Sequence, residues 1–507
     1  MICKILHTIF DALDDEFRFH GLGFLQDENR WRYQKRQIGN AQKLHRINQR
    51  KGKFKIIFLA SNGYLTFGGE HYIIITKKGV FTILLEIGDS MEIRRDMYLN
   101  RLIRKEKNGL IKVVTGIRRC GKSYLLFNLF HNYLVSKGVP ENHIIEVALD
   151  DRSNRDLRDP DRMLEYVKGQ ITDSDTYYII LDEVQLLAEF EDVLNSFLHI
   201  RNADVYVTGS NSRFLSSDVI TEFRGRGDEI RIYPLSFREY CSVYDGSADE
   251  AWDDYFTYGG LPLILSRETP EEKADYLTSL FQKVYLSDII DRHRIRNQDE
   301  LDELVNILAS AVGSLTNPLK LSKTFKSVKN KTISDKTLRT YMDYLTDAFL
   351  ISKAVRYDIK GRKYIGSPSK FYFEDVGLRN ARLNFRQMEE NHIMENIIYN
   401  ELRIRGYHVD VGLIDHFSKT EEHRTTKKQL EVDFVATKGS EKFYIQSAFA
   451  MTTPEKMEQE ERPLNAIGDS FKKIIVVRDN IRVRRNDAGI VTIGIRNFLM
   501  DENSLNL

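Results

Sequence analysis

The sequence predicts an α/β protein built around a parallel sheet with helices on both faces. Three observations point there. From residue 110 to 240, apolar runs of strand length alternate with amphipathic runs of helix length. The first run, "LIKVVTG", leads through a glycine-bounded loop into a helix. The third, "YYIILDE", ends in two acids.

Length and composition set the frame. A chain of 507 residues has room for two to four domains, at roughly 150 residues each. Hydrophobic content of 42% and charged content of 29% are those of an ordinary globular protein, and a net charge of +1 selects no partner. No apolar run reaches the ~18–20 residues of a membrane span, and the N-terminus lacks a signal-peptide pattern. Three scattered cysteines, Cys3, Cys120 and Cys241, offer neither a disulfide framework nor a zinc site. The expected compartment is therefore the cytoplasm, with no membrane partner.

The elements follow in order. Residues 30–55 carry ten Lys/Arg and no acid, the pattern of a solvated arm, and 54–88 suggest short strands. "MEIRRDMYLNRLIRKEKNG" reads as a charged amphipathic helix. Then come strand "LIKVVTG", a helix ending at Gly138, strand "HIIEVALDD", a helix over 160–171, strand "YYIILDE", helix "FEDVLNSFLHIR" and strand "DVYVTGS". Residues 250–355 are mostly helical. Within them, 319–345 form two helices joined by "NKTISD", the second capped by Ser334 or Asp335. Followed by "AFLISKAVRYD" and "SKFYFED", this pair suggests a winged helix. A last α/β segment contains "LEVDFVAT", "EKFYIQSAFA" and "KKIIVVRD".

The loop "GIRRCGKS" fits G-x-x-x-x-G-K-[ST] over Gly116, Ile117, Arg118, Arg119, Cys120, Gly121, Lys122 and Ser123, with Tyr124 next on the helix. Two glycines let the backbone turn tightly, so that N–H groups cradle phosphate oxygens at a helix N-terminus. Lys122 would reach the β/γ-phosphates, and the Ser123 hydroxyl would ligate Mg²⁺. The expected ligands are ATP and Mg²⁺. Strand ends are where ligands bind in an open parallel sheet. Asp182 would orient Mg²⁺ through water there, and Glu183 would act as general base on the attacking water. The strand "DVYVTGSNS" offers Ser210 and Asn211 to hold the water or sense the γ-phosphate. In "EFRGRGDEIRIYPLSFREY", Arg224 or Arg226 is the candidate arginine finger, in its own subunit or a neighbour.

The ordered set "RRDMYLNRL", "VVTGIRRCGKSYLL", "YYIILDEVQ", "VYVTGSNSRFLSS", "RGRGDEIRIYPLSFREY", "YGGLPLIL" and "LEVDFVA" resembles the prokaryotic AAA-type P-loop ATPases that carry a C-terminal restriction-endonuclease-like domain of unknown function. It covers about 91–480. The resemblance implies an AAA-type ATPase core over 91–245, a helical lid and winged-helix region over 246–380, and a nuclease-like domain over 381–507. It places Pro262, in "GGLP", near the adenine. Since such proteins begin close to "MEIRRDMYL", residues 1–90 are either an extra arm or an over-extended start, with Met91 as initiator.

Restriction-type nucleases gather a helical acid, a strand Asp and a Glu/Gln-x-Lys, whose carboxylates hold Mg²⁺. This chain resembles that set at Glu395, with Glu401 as a further helical acid, and at Asp433 and Gln446. It has Ala448 where the lysine would stand. The implied site is degenerate and the domain catalytically inactive. Lys320, Lys323, Lys326 and Lys329 recur every three residues, and Arg339 follows on the second helix. Residues 319–339 are thus the candidate DNA contact, through phosphates. The resulting expectation is a slow, Mg²⁺-dependent ATPase whose cycle controls a DNA- or protein-binding tail, with a homo-oligomer allowed. The alternatives are a nucleotide-gated switch with negligible turnover and an ATP-dependent DNA nuclease.

Overall fold

The computed structural model describes residues 58–59, 72–76, 79–83, 92–209, 225–329, 333–419, 425–451 and 453–507. The chain divides into two units, Met1–Glu92 and Ile93–Leu507. In the first, strands Phe58–Leu59, Tyr72–Thr76 and Gly79–Ile83 form an antiparallel sheet with the last strand central.

The second unit begins with helix α1 (Asp96–Arg104) and then a five-stranded sheet. Its strands are β1 (Ile111–Thr115), β2 (Ile144–Ala148), β3 (Tyr177–Asp182), β4 (Ala203–Gly209) and β5 (Gly227–Arg231). Their order is β2-β3-β4-β1-β5, and every pairing is parallel. The strands are apolar on both sides because both faces are covered. On one face Ile111, Val113, Ile179, Leu181, Val205 and Val207 pack with helices α3 (Pro160–Gln170) and α4 (Phe190–Phe197). On the other, Val114, Tyr178, Ile180, Tyr206 and Ile230 pack against helix α2. That helix runs through Lys122–Tyr124, a π-helical stretch Leu125–Phe130 and His131–Ser136. A buried lysine interrupts the apolar β1: Lys112 pairs with Asp204 of β4, which also accepts from Tyr206 Oη at 2.8 Å.

Helices then dominate: α5 (Phe237–Val243), α6 (Ala248–Tyr258), and α7, made of Pro270–Leu280, the π-helical Phe281–Leu286 and Ser287–His293. Capping boxes at Ser236/Glu239 and Ser247/Glu250 fix the starts of α5 and α6. Next come α8 (Gln298–Ser310), α9 (Pro318–Lys329) and α10 (Asp335–Asp347). Ser334 is the cap of α10, accepting the N–H of Thr337 at 3.0 Å.

A hairpin of β6 (Ile351–Asp358) and β7 (Lys363–Phe373) follows. β6 also pairs, in parallel, with β8 (His408–Lys419), so the hairpin is the edge of an eight-stranded sheet. The rest are β9 (Thr425–Lys438), β10 (Glu441–Ala448), β11 (Lys472–Val477), β12 (Arg484–Arg485) and β13 (Val491–Gly494), in the order β7-β6-β8-β9-β10-β11-β13-β12. The sheet thus crosses the boundary expected at 380/381. Between its two halves lie α11 (Val376–Arg382) and α12 (Glu390–Ile404), and α12 packs on the sheet. Helix α13 (Pro454–Asn465) covers the opposite face. Among the described residues, no helix is long and apolar enough to cross a membrane.

Candidate nucleotide site

The site lies where β1 and β3 end. Past Thr115 the chain turns at Gly116, with φ of 146°. A Cβ there would stand 2.2 Å from the Ile232 carbonyl oxygen, so only glycine fits. Ile117 and Cys120 are buried beneath the loop, while Arg118 and Arg119 are exposed. Gly121, with φ of 100°, caps the start of α2. Burial pushes the Cys120 thiol up, and its sulfur faces the Ile232 carbonyl at 3.9 Å, so Cys120 is a packing residue. Lys122 Nζ donates to the Gly116 and Ile117 carbonyls at 3.1 and 3.3 Å. It is only 4% exposed, and among the described residues no carboxylate lies within 4.0 Å of it. A buried ammonium held by neutral carbonyls fits a role that awaits anionic charge.

β4 stands between β1 and β3, yet their ends meet. Ser123 Oγ donates to Asp182 Oδ2 at 2.7 Å. Thr208, fully buried near the end of β4, donates its hydroxyl to Asp182 Oδ1 and accepts the Glu183 N–H at 2.9 Å. Burial raises the Asp182 carboxyl above its ordinary value, against the lowering effect of the Thr208 and Ser123 hydrogen bonds. Glu183 has a left-handed backbone, φ 51°, and its carboxylate accepts from Gln185 Nε2. Ser123 and Asp182 supply the hard oxygens that Mg²⁺ prefers.

Arg95 and Tyr285, neither of which the sequence revealed, hold this loop from other elements, and Pro262 lies beside it. Arg95, 3% exposed, donates to the Cys120 carbonyl at 3.0 Å and to the Tyr233 carbonyl at 2.7 Å, and pairs with Glu239 at 3.0 Å. Its signal was an arginine ahead of an amphipathic helix, which by itself reads as surface charge. Tyr285 Oη of α7 donates to the Arg118 carbonyl at 2.7 Å. Pro262 Cγ lies 4.0 Å from where a Cβ would stand on Gly121, so the "GGLP" turn lies beside the loop. That turn is itself gripped from the far half: Asp375, fully buried at the start of α11, accepts the Gly260 N–H at 2.7 Å and the Leu378 N–H at 3.0 Å. Its neighbour Glu374 pairs with Arg231, at the end of β5, at 2.5 Å.

Other expected residues fall elsewhere. Ser210, Asn211 and Arg224 lie outside the described residues. Arg226 is exposed at the opposite end of the sheet, where its carbonyl accepts the N–H of Ile111, the first residue of β1, at 2.9 Å. Four residues of strand, about 13 Å, separate it from this subunit's phosphate loop, which excludes it as a finger in cis. Ala448 packs in the core with Tyr444 and Val432. Glu401 pairs with Arg405 at 2.7 Å, away from Asp433. Glu395 and Asp433 do converge, but on Lys370 of β7: Nζ stands 2.9 Å from Glu395, 3.4 Å from Asp433 and 2.8 Å from Glu431. Gln446 meets this group through the Asp433 N–H at 3.4 Å and turns its own N–H to Glu460 at 3.2 Å.

Residues 108–241 match an AAA domain (AAA_14), and 249–389 match a domain of unknown function (DUF8612). An uncharacterized protein of Haemophilus influenzae is 33% identical over 390 residues, covering 76% of this chain and 93% of that one. The chain is an AAA-type P-loop protein of the same family. A second member of similar reach is the uncharacterized protein MJ1544 of Methanocaldococcus jannaschii, 26% identical over 402 residues, 76% of this chain and 84% of that protein. A solved structure of the Aeropyrum pernix ORC1 protein in complex with DNA is similar at 13% identity over 58% of this chain and 94% of that one, with a TM-score of 0.28. Within the AAA domain of this family member lie the phosphate loop, Asp182, Glu183 and Thr208. The Arg95 and Pro262 contacts reach it from outside the matched span.

Proposed function

We propose that this protein is a Mg²⁺-dependent ATPase whose nucleotide cycle moves its C-terminal half. The observation that carries the reading is the Ser123–Asp182 contact of 2.7 Å, beside a buried Lys122 and a loop that only glycine can close. Gly116–Ser123 would hold the phosphates, and Ser123 and Asp182 would hold Mg²⁺, which supplies charge neutralisation on the phosphate oxygens. Lys122 would exchange its two carbonyls for phosphate. Glu183 would take the proton of the attacking water, and Asn211 would hold that water. Arg226 serves as a finger only toward a neighbouring subunit, which requires an oligomer.

Transmission runs through the Pro262 contact and the Glu374–Asp375 pair, which join the nucleotide site to the edge of the C-terminal sheet. The succession α8, α9, α10, β6, β7, with Thr316 bridged to Ser369, supports a winged helix. Its basic side includes exposed Lys320, Lys323 and Lys326 on α9, Arg339 on α10, and Lys360, Arg362 and Lys363 at the hairpin tip. Those flexible cations suit duplex phosphates. The α12/β9/β10 arrangement supports a nuclease-like tail without cleavage, since Ala448 is core and Gln446 faces Glu460.

The test is ATP turnover of the full chain with and without duplex DNA. Turnover should need Mg²⁺ and vanish in Lys122→Ala, while Glu183→Gln should bind ATP and hydrolyse it poorly. Wild-type turnover in both variants refutes the reading. One observation favours a slow nucleotide-gated switch: the Glu183 carboxylate is engaged by Gln185. If so, Gln185→Ala raises turnover without tightening ATP binding.

A further inference from the structure

The cluster around Lys370 stands apart from the nucleotide site and bears on what the C-terminal domain can do. Two β-bulges build it. β7 breaks register between Ile365 and Lys370, over "GSPS", and β9 breaks register against β8 between Asp410 and Gly412, at Asp433. Each bulge re-aims a side chain that regular alternation would place differently. Lys370, 3% exposed, then meets Glu395 Oε1 at 2.9 Å, Glu431 Oε1 at 2.8 Å and Asp433 Oδ1 at 3.4 Å. An ammonium has three N–H donors, and here it faces three carboxylate acceptors. Two further donors serve these carboxylates: Tyr372 Oη also donates to Glu395 Oε1, at 2.7 Å, and the Ser447 N–H donates to Asp433 Oδ2 at 2.9 Å.

Hard carboxylates are the ligands a divalent cation selects, though around the ammonium these three do not bring oxygens all within 4.8 Å of one another. The spacing, however, is that of hydrogen bonds to nitrogen, not of the ~2.1 Å bonds that Mg²⁺ demands. A second cation at the focus of the three carboxylates would have to displace the ammonium. Lys370 is tethered by β7 and cannot diffuse away.

We propose that Lys370 Nζ is the resident cation of a carboxylate cradle formed by Glu395, Glu431 and Asp433, and that it closes this cradle to divalent metal. Metal-dependent phosphodiester chemistry is thereby shut off, and the same ammonium fastens the hairpin edge to α12 and β9. This inference does not rest on the ATPase reading and stands or falls separately from it.

The test uses nucleotide-free full-length protein titrated with Mn²⁺ alone, read by calorimetry and by electron paramagnetic resonance. Wild type and Asp433→Asn should bind Mn²⁺ alike, any weak binding at Ser123/Asp182 being common to both. Lys370→Gln should gain one Mn²⁺ site at least ~10-fold tighter than any in wild type, about 1.4 kcal/mol or more, and lose it again in Lys370→Gln/Asp433→Asn. If Lys370→Gln unfolds without metal, Mn²⁺ should restore its cooperative melt. The proposal is overturned if wild type binds a Mn²⁺ that Asp433→Asn abolishes. It is equally overturned if Lys370→Gln neither gains a site when folded nor is restored by Mn²⁺ when unfolded.

Discussion

Thr208→Val tests the nucleotide site at its least visible member. The change keeps the shape of a fully buried side chain and removes one hydroxyl. That hydroxyl donates to Asp182 Oδ1 and accepts the Glu183 N–H. A hydrogen bond to a charged group is worth about 1.5–3 kcal/mol. Its loss lifts the Asp182 pKa further. The sign follows from which form is favoured. The donor stabilises the carboxylate, so removing it makes protonation easier, and burial has already pushed Asp182 upward. If ionised Asp182 is needed to hold Mg²⁺, the acid limb of the turnover profile moves to higher pH. The orphaned Glu183 N–H adds about 1–3 kcal/mol of destabilisation. Steady-state ATP turnover across pH at saturating Mg²⁺ measures the limb, and Thr208→Ser, which keeps the hydroxyl, should leave it in place. An unmoved limb in a folded Thr208→Val protein would refute the role given to Thr208.

Further outcomes are expected elsewhere. Arg95→Ala leaves Glu239 and two carbonyls without their partner, which should cost about 3–5 kcal/mol and weaken ATP binding. Urea midpoints and nucleotide titration check both. Lys112→Met strands Asp204 inside the sheet and should cost a similar ~3–5 kcal/mol, while Lys112→Met/Asp204→Leu recovers most of it on thermal melting. Asp375 is raised by burial to about 6. A carboxyl with a raised folded pKa binds more protons folded than unfolded, so its contribution is full below about pH 4 and is lost as pH rises to about 6. Two pH units at about 1.4 kcal/mol each give a fall of about 3 kcal/mol, read from urea midpoints, and Asp375→Asn should flatten that slope.

Much of the nucleotide module was legible in the chain. β1, β3 and β4 are apolar runs bounded by turns, and the glycine spacing of 116–121 has one good structural use. Strands β5, β8, β12 and β13 escaped. β5, "GDEIR", has too many charges for an apolar run and is held as an edge by its pairing with β1. β8 begins "HVDVG", whose alternation is short and polar. Its place is decided by pairing with β6 and β9.

The sequence alone determined the chemistry on offer: a phosphate loop, an acidic strand end, a basic helix, and a strand pair that carries Asp433, Gln446 and Ala448. Periodicity and turn composition are local, so they could be read locally. The tertiary structure decided which of these groups meet. It put β4 between β1 and β3 so that Thr208 could reach Asp182, sent Arg226 to the wrong end of the sheet, and brought Arg95 under the loop. It also carried Lys370 across 63 residues to Asp433. Such contacts depend on strand order, register and bulges, which arise from packing of the whole domain and leave no mark on the spacing of residues along the chain.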